Sequence, residues 1–373
     1  MKKITLLGAG LIGKTIAKEL AKTHSVKVID RNVEALKALA GIDNISTIDD
    51  NIEDGIKLKN LVADADLVIG AVPGFLGFNM VKNVIKAKKN IVDISFFSED
   101  PFALDALAKE NNVTVLVDCG VAPGLDNILC GYYHANYKIQ SFACYVGGLP
   151  MERKHPFAYK APFSPIDVIE EYTRPARLVE HGNIVIKPAL SETEMINYPL
   201  VGTLQAFNTD GLRTLLKLPI ANMKEKTLRY PGHVTYIKAL QDIGFFSEEP
   251  IIINGQSVKP IDVTSQILLP QWQLLPTDKE FTLMDTIIEY IENGVVKKVS
   301  HLLYDTYDEA TQTHSMARTT GYTCTAIAEL VLQNKFTKKG VYAGEHIGME
   351  KGNYEAVIAY LENRGVAIQT KEI

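Results

Sequence analysis

Cysteine is scarce: four in 373 residues, at positions 119, 130, 144 and 324, with no C-x-x-C pair among them. That is too few for a disulfide framework, and the spacing lacks the usual signature of a structural zinc site, so no metal is expected. The chain reads as reduced and cytoplasmic. Tryptophan occurs once, and no apolar run is long enough to span a bilayer; the most apolar later stretch, 67–78, is broken by Gly70, Pro73, Gly74 and Gly77. Neither sign of charge prevails. Lys and Arg number 39 against 44 Asp and Glu, a net of −5, which gives no basic footprint for nucleic acid. Internal repeats and low-complexity tracts are absent too. What remains is an ordinary globular composition, 46% hydrophobic and 22% charged, in a chain long enough for two or three domains.

The start has the outline of a signal peptide, two lysines before an apolar stretch. However, Lys14 and Lys18 follow at once and a cleavage site is missing. Alternating strands and helices explain this region better. Strand-like segments fall at 4–7, 26–29, 45–48, 67–72, 90–94 and 113–117. Helix-like segments fall between them at 12–20, 33–39, 56–63, 79–87 and 101–109. That alternation predicts βαβ units and a parallel sheet. Past residue 124 the repetition stops. Segments 142–146, 184–186 and 281–284 read as strands of a mixed or antiparallel sheet, with late helices at 319–332 and 354–363. The expected domains are 1–124, 125–314 and a C-terminal segment 315–373.

Gly8-Ala9-Gly10-Leu11-Ile12-Gly13 fits G-x-G-x-x-G between a predicted strand and a predicted helix. The first glycine permits a tight turn, the second lets a pyrophosphate approach the backbone, and the third allows close helix–strand packing. The helix N-terminus offers free N–H groups to the phosphates. Asp30 ends the second strand, 20 positions after Gly10, where an acid binds ribose hydroxyls. A 2′-phosphate would meet like charge there, so the cofactor reads as NAD rather than NADP. Arg31 can stack on adenine or accept a phosphate. Ala71, Val72 and Pro73 follow a strand whose carboxyl end should face the cofactor. Ser95, Cys119 and Gly120 are further cofactor-binding candidates. Together these features predict a Rossmann-type α/β fold, a doubly wound parallel sheet with a second α+β domain. The fold by itself does not establish hydride transfer.

The stretch 117–127, VDCGVAPGLDN, resembles a signature of the saccharopine dehydrogenase family. So do GGLP at 147–150, YKAPFSP at 159–165, TLRYPGH at 227–233 and MARTTGY at 316–322, in the expected order along nearly the whole chain. Within the family, APGL at 122–125, TDGLRT at 209–214 and GFF at 244–246 are most similar to the lysine 6-dehydrogenase branch. Saccharopine reductases usually carry Asp before Pro-Gly in the first motif, and here Ala122 stands there. The resemblance implies that the C-terminal segment completes the first domain, making the second an insertion. It also implies a homodimer through the second domain's sheet.

Oxidising an amine carbon requires a base for the ammonium proton and charged anchors that place the reacting carbon. Asp118, at the end of a strand beside a Gly-x-x-Pro-Gly turn, is the first base candidate, with a helix-capping carboxylate as its alternative. Asp93 is the second. Lys160 and Tyr159 lie in a Pro-flanked loop, where a desolvated Lys can act as a base. His155 and His233 are candidate proton shuttles. Arg229 and Arg213 are candidate carboxylate anchors, Arg229 favoured by its constrained loop and its motif, and Gly148 is a further substrate-side candidate. Phe96 and Phe97 read as core, and Cys119 as unreactive in apolar surroundings. The expected activity is NAD-dependent oxidation of the terminal amine of L-lysine or a close analogue. A reductive condensation of an amine with an aldehyde, as in saccharopine reductase or carboxynorspermidine dehydrogenase, is the alternative. A non-catalytic NAD(H) sensor is a third reading.

Overall fold

The structure is a computed structural model that describes residues 1–163 and 165–373. Its chain forms two compact units. The first comprises Met1–Lys138 and Met316–Ile368, the second Ile139–Ser315 and Gln369–Ile373. This division differs from boundaries at 124 and 314. The helix Leu125–Asn136 belongs to the first unit, because Gly131 lies where a β-carbon would meet the Glu345 carbonyl oxygen at 2.0 Å. A β-carbon on Gly348 would lie 2.0 Å from the Ile128 carbonyl oxygen of the same helix, and one on Gly344 2.7 Å from the Asn127 β-carbon. Only hydrogen side chains permit that backbone contact, which locks the late helix Gly344–Gly348 onto the earlier one.

The first unit holds a seven-stranded sheet. Its order is Gly340–Tyr342, Thr114–Leu116, Ile91–Asp93, Leu67–Gly70, Lys3–Leu7, Ser25–Asp30, Ile45–Asp49, with neighbouring strands parallel. Apolar side chains of the central strands, such as Leu6, Val28, Val68 and Ile69, are fully buried, as a sheet covered on both faces requires. Strand order reverses between Lys3–Leu7 and Leu67–Gly70, the position where open α/β sheets bind ligands at their carboxyl edge. One helix starts earlier than its periodicity predicts, Gly74–Lys86 rather than 79–87. Its first turn carries Gly74 and Gly77, which read as turn residues. Gly77 is needed because a β-carbon there would strike Phe97 and Ser95 at 2.7 and 2.8 Å.

The second unit holds a mixed nine-stranded sheet. Along its main path run Glu194–Tyr198, Gly202–Asn208, Asn222–Arg229, Lys138–Pro150, Glu280–Glu292, Val295–Thr306 and Ile368–Glu372. Ala176–Glu180 pairs with Asn222–Arg229 and with Asn183–Lys187. Asn222–Arg229 runs parallel to Lys138–Pro150, while its neighbour Gly202–Asn208 is antiparallel. The long hairpin turns at Asn293 and Gly294, both at positive φ (52° and 80°), the left-handed geometry of a tight two-residue turn. An aromatic core of Tyr159, Tyr172, Phe207, Trp272 and Phe281 fills the unit. Among the described residues, no helix is long and apolar enough to cross a membrane.

Candidate functional site

The opening strand Lys3–Leu7 leads into Gly8, at φ +108°, and the helix Leu11–Leu20 begins after Gly10. The three glycines meet different surroundings. A β-carbon on Gly8 would strike the Ala71 carbonyl oxygen at 2.2 Å, and one on Gly13 would strike that of Gly8 at 2.3 Å. One on Gly10 would meet nothing within 4 Å, and Gly10 is exposed. The turn is therefore closed beneath and open at its middle glycine. Leu11, Ile12 and Gly13 precede the first intrahelical bond, from Lys14 N–H to the Gly10 carbonyl at 3.0 Å, and no side chain caps the helix. These amides suit an anion at a helix N-terminus.

Asp30 is the last residue of its strand. Its carboxylate accepts the Ala9 N–H at 2.6 Å and the Asn32 N–H at 2.7 Å, which holds it beside the glycine turn. Arg31 is exposed and lies 3.8 Å from Glu53. The Ala71 N–H donates to the Leu7 carbonyl at 2.8 Å, so the 71–73 loop adjoins the same turn. Pro73 caps the helix Gly74–Lys86. An open middle glycine, free helix amides and a carboxylate one strand away fit the diphosphate and ribose of a nicotinamide dinucleotide.

Asp93 ends the strand Ile91–Asp93 and is fully buried. Ser95 donates its hydroxyl to Asp93 Oδ1 at 2.8 Å, and the Cys119 N–H donates to the Asp93 carbonyl at 3.0 Å. Asp118 lies two residues beyond the strand Thr114–Leu116, not at its end. It is 2% exposed and has φ +55°, a left-handed backbone uncommon outside glycine. The next helix begins after Gly124. There Asp126 and Asn127 accept the Gly124 N–H at 2.8 and 3.2 Å. Cys119 is buried, and desolvation pushes its thiol well up, with Cys324, Asp93 and Asp118 adding to the rise. Gly120 donates its N–H to the Pro123 carbonyl at 3.1 Å, and a β-carbon on it would stand 3.3 Å from Thr320.

The second unit places its candidates differently. Arg229 is 2% exposed and engaged on each nitrogen: Nε to the Tyr172 hydroxyl at 3.4 Å, Nη1 to the Leu228 carbonyl at 2.9 Å, and Nη2 to Tyr159 at 3.3 Å and Glu171 at 2.6 Å. Its guanidinium also lies 4.3 Å from the centre of the Tyr159 ring. Glu171 and Tyr172 thus stand on the Nε–Nη2 side of Arg229, the candidate anchor, where a bidentate carboxylate would grip. His233 is buried between the Phe157 carbonyl, 2.9 Å from Nδ1, and the Tyr172 hydroxyl, 2.9 Å from Nε2. A carbonyl only accepts, so Nδ1 carries the proton and Tyr172 donates to Nε2. Desolvation, reinforced by Arg229, lowers the His233 pKa to about 3, while burial raises that of Tyr172 to about 12. Burial thus favours the neutral imidazole of His233, held between Phe157 and Tyr172. Tyr159 is buried with its hydroxyl pushed well up by desolvation, which disfavours it as a base.

Lys160 donates to the Gln273 carbonyl at 3.0 Å and lies 3.8 Å from Asp278. His155 is exposed and meets the Tyr236 hydroxyl at 3.3 Å. Gly148 is buried within the strand Lys138–Pro150. Arg213 is buried and has φ +43°. Ser164, inside the 159–165 motif, lies outside the described residues. Sequence reasoning missed Glu171 and Tyr172, because the pair Glu170-Glu171 reads as a solvated helix face. It also missed Gly70, whose signal was a glycine ending an otherwise apolar strand.

A family model described as "Saccharopine dehydrogenase NADP binding domain" matches residues 4–116, and one described as "Saccharopine dehydrogenase C-terminal domain" matches 120–366. The saccharopine dehydrogenase [NADP(+), L-glutamate-forming] of Pyricularia oryzae is 31% identical over 283 residues, 72% of this chain and 63% of that protein. Its Saccharomyces cerevisiae counterpart is 28% identical over 266 residues, covering 66% and 59%. The alpha-aminoadipic semialdehyde synthase of Arabidopsis thaliana is 22% identical over 362 residues, 90% of this chain but 33% of that protein. Each match spans less than two thirds of the relative's own length. The solved apo saccharopine dehydrogenase (L-Glu forming) from Saccharomyces cerevisiae superposes over 100% of both chains with a TM-score of 0.79 at 21% identity, a shared fold.

Proposed function

The chain belongs to the saccharopine dehydrogenase family, and from that membership we propose a nicotinamide-dinucleotide-dependent oxidoreductase acting at a carbon–nitrogen bond of a lysine-derived amino acid. The observation that carries the reading is the cradle of Gly8, Gly10 and Gly13, with Asp93 and Asp118 on the same carboxyl edge of the sheet. When bound, the nicotinamide supplies the hydride acceptor. The chain's own part is to hold the dinucleotide by helix amides and Asp30, and to move the amine proton. Asp118 takes that proton, leaving the nitrogen lone pair to form the imine as hydride departs. Water then adds to the imine, releasing the nitrogen group and leaving an aldehyde.

The favoured substrate is the unsubstituted terminal amine of L-lysine, because Ala122 stands where saccharopine reductases usually carry Asp. The names of the fungal relatives favour a second reading, a secondary amine such as saccharopine. Those names, and the matched domain's, also carry NADP. The charge of Asp30 beside the ribose position favours NAD. A homodimer is the proposed assembly, testable by light scattering. The activity test mixes purified protein with each dinucleotide and a panel of L-lysine, other diamino acids and saccharopine, and follows absorbance of the reduced nicotinamide. Turnover of L-lysine that Asp118→Asn abolishes is expected. No turnover across the panel overturns the reading.

A further inference from the structure

Asp93 has a more constrained setting than either neighbouring strand end requires. Its carboxylate fills the place of a missing side chain: a β-carbon on Gly70 would lie 2.1 Å from Asp93 Oδ1 and 3.0 Å from its Cγ. Its carbonyl accepts the Cys119 amide, one residue past Asp118. Its Oδ1 receives the Ser95 hydroxyl at 2.8 Å, between two buried side chains. Three consecutive strand ends of the sheet, Leu67–Gly70, Ile91–Asp93 and Thr114–Leu116, thus converge on this one residue.

A carboxylate accepts and does not donate, so Ser95 commits its only proton to Asp93. What Ser95 Oγ has left is lone pairs, made more electron-rich by the anion behind them. We propose that Asp93 is a positioning residue that turns Ser95 into an obligate hydrogen-bond acceptor for an N–H donor bound at the carboxyl edge of the sheet. This rests on the dinucleotide-dependent reading above. It assigns Asp93 no proton transfer, in contrast to a general base. Two groups in that reaction carry the required N–H: the carboxamide of the nicotinamide and the ammonium of the substrate. Gly70 serves the same end, since any side chain there would push the carboxylate off Ser95.

The test compares wild type with Ser95→Ala, Asp93→Asn and Gly70→Ala. Calorimetry measures binding of NAD and of its 3-acetylpyridine analogue, whose acetyl group replaces the carboxamide and has no N–H. Thermal melts report folding. Wild type is expected to bind NAD about tenfold more tightly than the analogue, and the three variants to lose that preference. Asp93→Asn can donate to Ser95 and turn its proton outward, so this variant is expected to shift furthest toward the analogue. That pattern assigns the acceptor to the carboxamide. Unchanged dinucleotide preference, with KM for the amine raised about tenfold in all three variants and kcat retained, assigns it to the substrate ammonium. If folded variants change neither, the proposal is overturned. Wild type that binds neither dinucleotide overturns the functional reading instead.

Discussion

Gly13 stands so close to Gly8 that a β-carbon on it would lie 2.3 Å from the Gly8 carbonyl oxygen, while Gly10 between them has open space within 4 Å. The two positions should therefore respond differently. Gly13→Ala is expected to push the first helix off its strand and lower stability by about 1–3 kcal/mol, as overpacking does. Gly10→Ala should melt within about 0.5 kcal/mol of wild type yet bind dinucleotide at least about tenfold more weakly, because its methyl enters the space left for the diphosphate. Urea melts and calorimetry separate the two effects.

Asp30 holds the Ala9 and Asn32 amides with its carboxylate oxygens. Asp30→Asn keeps an acceptor for one amide and removes the charge. The ratio of KM for NADP to KM for NAD should fall by about tenfold, on the order of 1.4 kcal/mol of relieved repulsion. An unchanged ratio would remove the argument for NAD.

Glu171 and Arg229 form an ion pair at 2.6 Å with the guanidinium fully enclosed. The two halves are not equivalent. Burial already raises the pKa of Glu171, so without Arg229 the carboxyl can take a proton and become neutral. Arginine has no such escape. Glu171→Ala is thus expected to cost about 3–5 kcal/mol, more than Arg229→Met, in chemical denaturation. Equal losses would mean that packing, not charge, governs the site.

Two buried histidines set a pH slope. His233 titrates at about 3 and His301 at about 4 in the folded chain, both lowered by desolvation from 6.5. The unfolded chain binds those protons first, so their contribution is complete above about pH 6.5 and is lost as pH falls toward the folded values. Each should cost about 1.4 kcal/mol per pH unit well inside that window. Urea melts between pH 7 and pH 5 should show the slope, and His301→Gln should reduce it by one proton's worth. A slope that His301→Gln leaves unchanged would show that His301 does not contribute to it.

The four cysteines are all buried and outside any disulfide, and desolvation raises the thiols of Cys119, Cys130 and Cys324. A thiol reagent should label none of them within minutes in the native chain and all four in urea. Rapid labelling of Cys119 in the folded chain would show that the carboxyl edge opens.

The first unit was legible because its signals are local. Strand, glycine turn, helix and acid follow within 30 residues, and Leu67–Gly70 through Thr114–Leu116 are short apolar runs bounded by helices. Gly74–Lys86 was read late because its first turn trades helix propensity for contact with Phe97 and Ser95, a tertiary demand invisible in sequence. The Arg229 cluster was illegible for a similar reason. Its neighbours come from three segments, Tyr159, the Glu171–Tyr172 pair and His233, and only the folded chain shows that the guanidinium is engaged. Asp118 was placed on a strand end by its apolar neighbours. Its left-handed backbone, which Asp tolerates better than most residues, is set by the turn that follows and not by those neighbours.

The edge strand Gly340–Tyr342 pairs with Thr114–Leu116, and the last strand, Ile368–Glu372, belongs to the other sheet. On the ribosome, neither sheet can be finished until nearly all of the chain has emerged. The first sheet must wait, its flank at Thr114–Leu116 uncovered, while Ile139–Ser315 of the second unit is synthesised. Such long-range closure slows folding and leaves an unpaired strand edge exposed while the chain is being made.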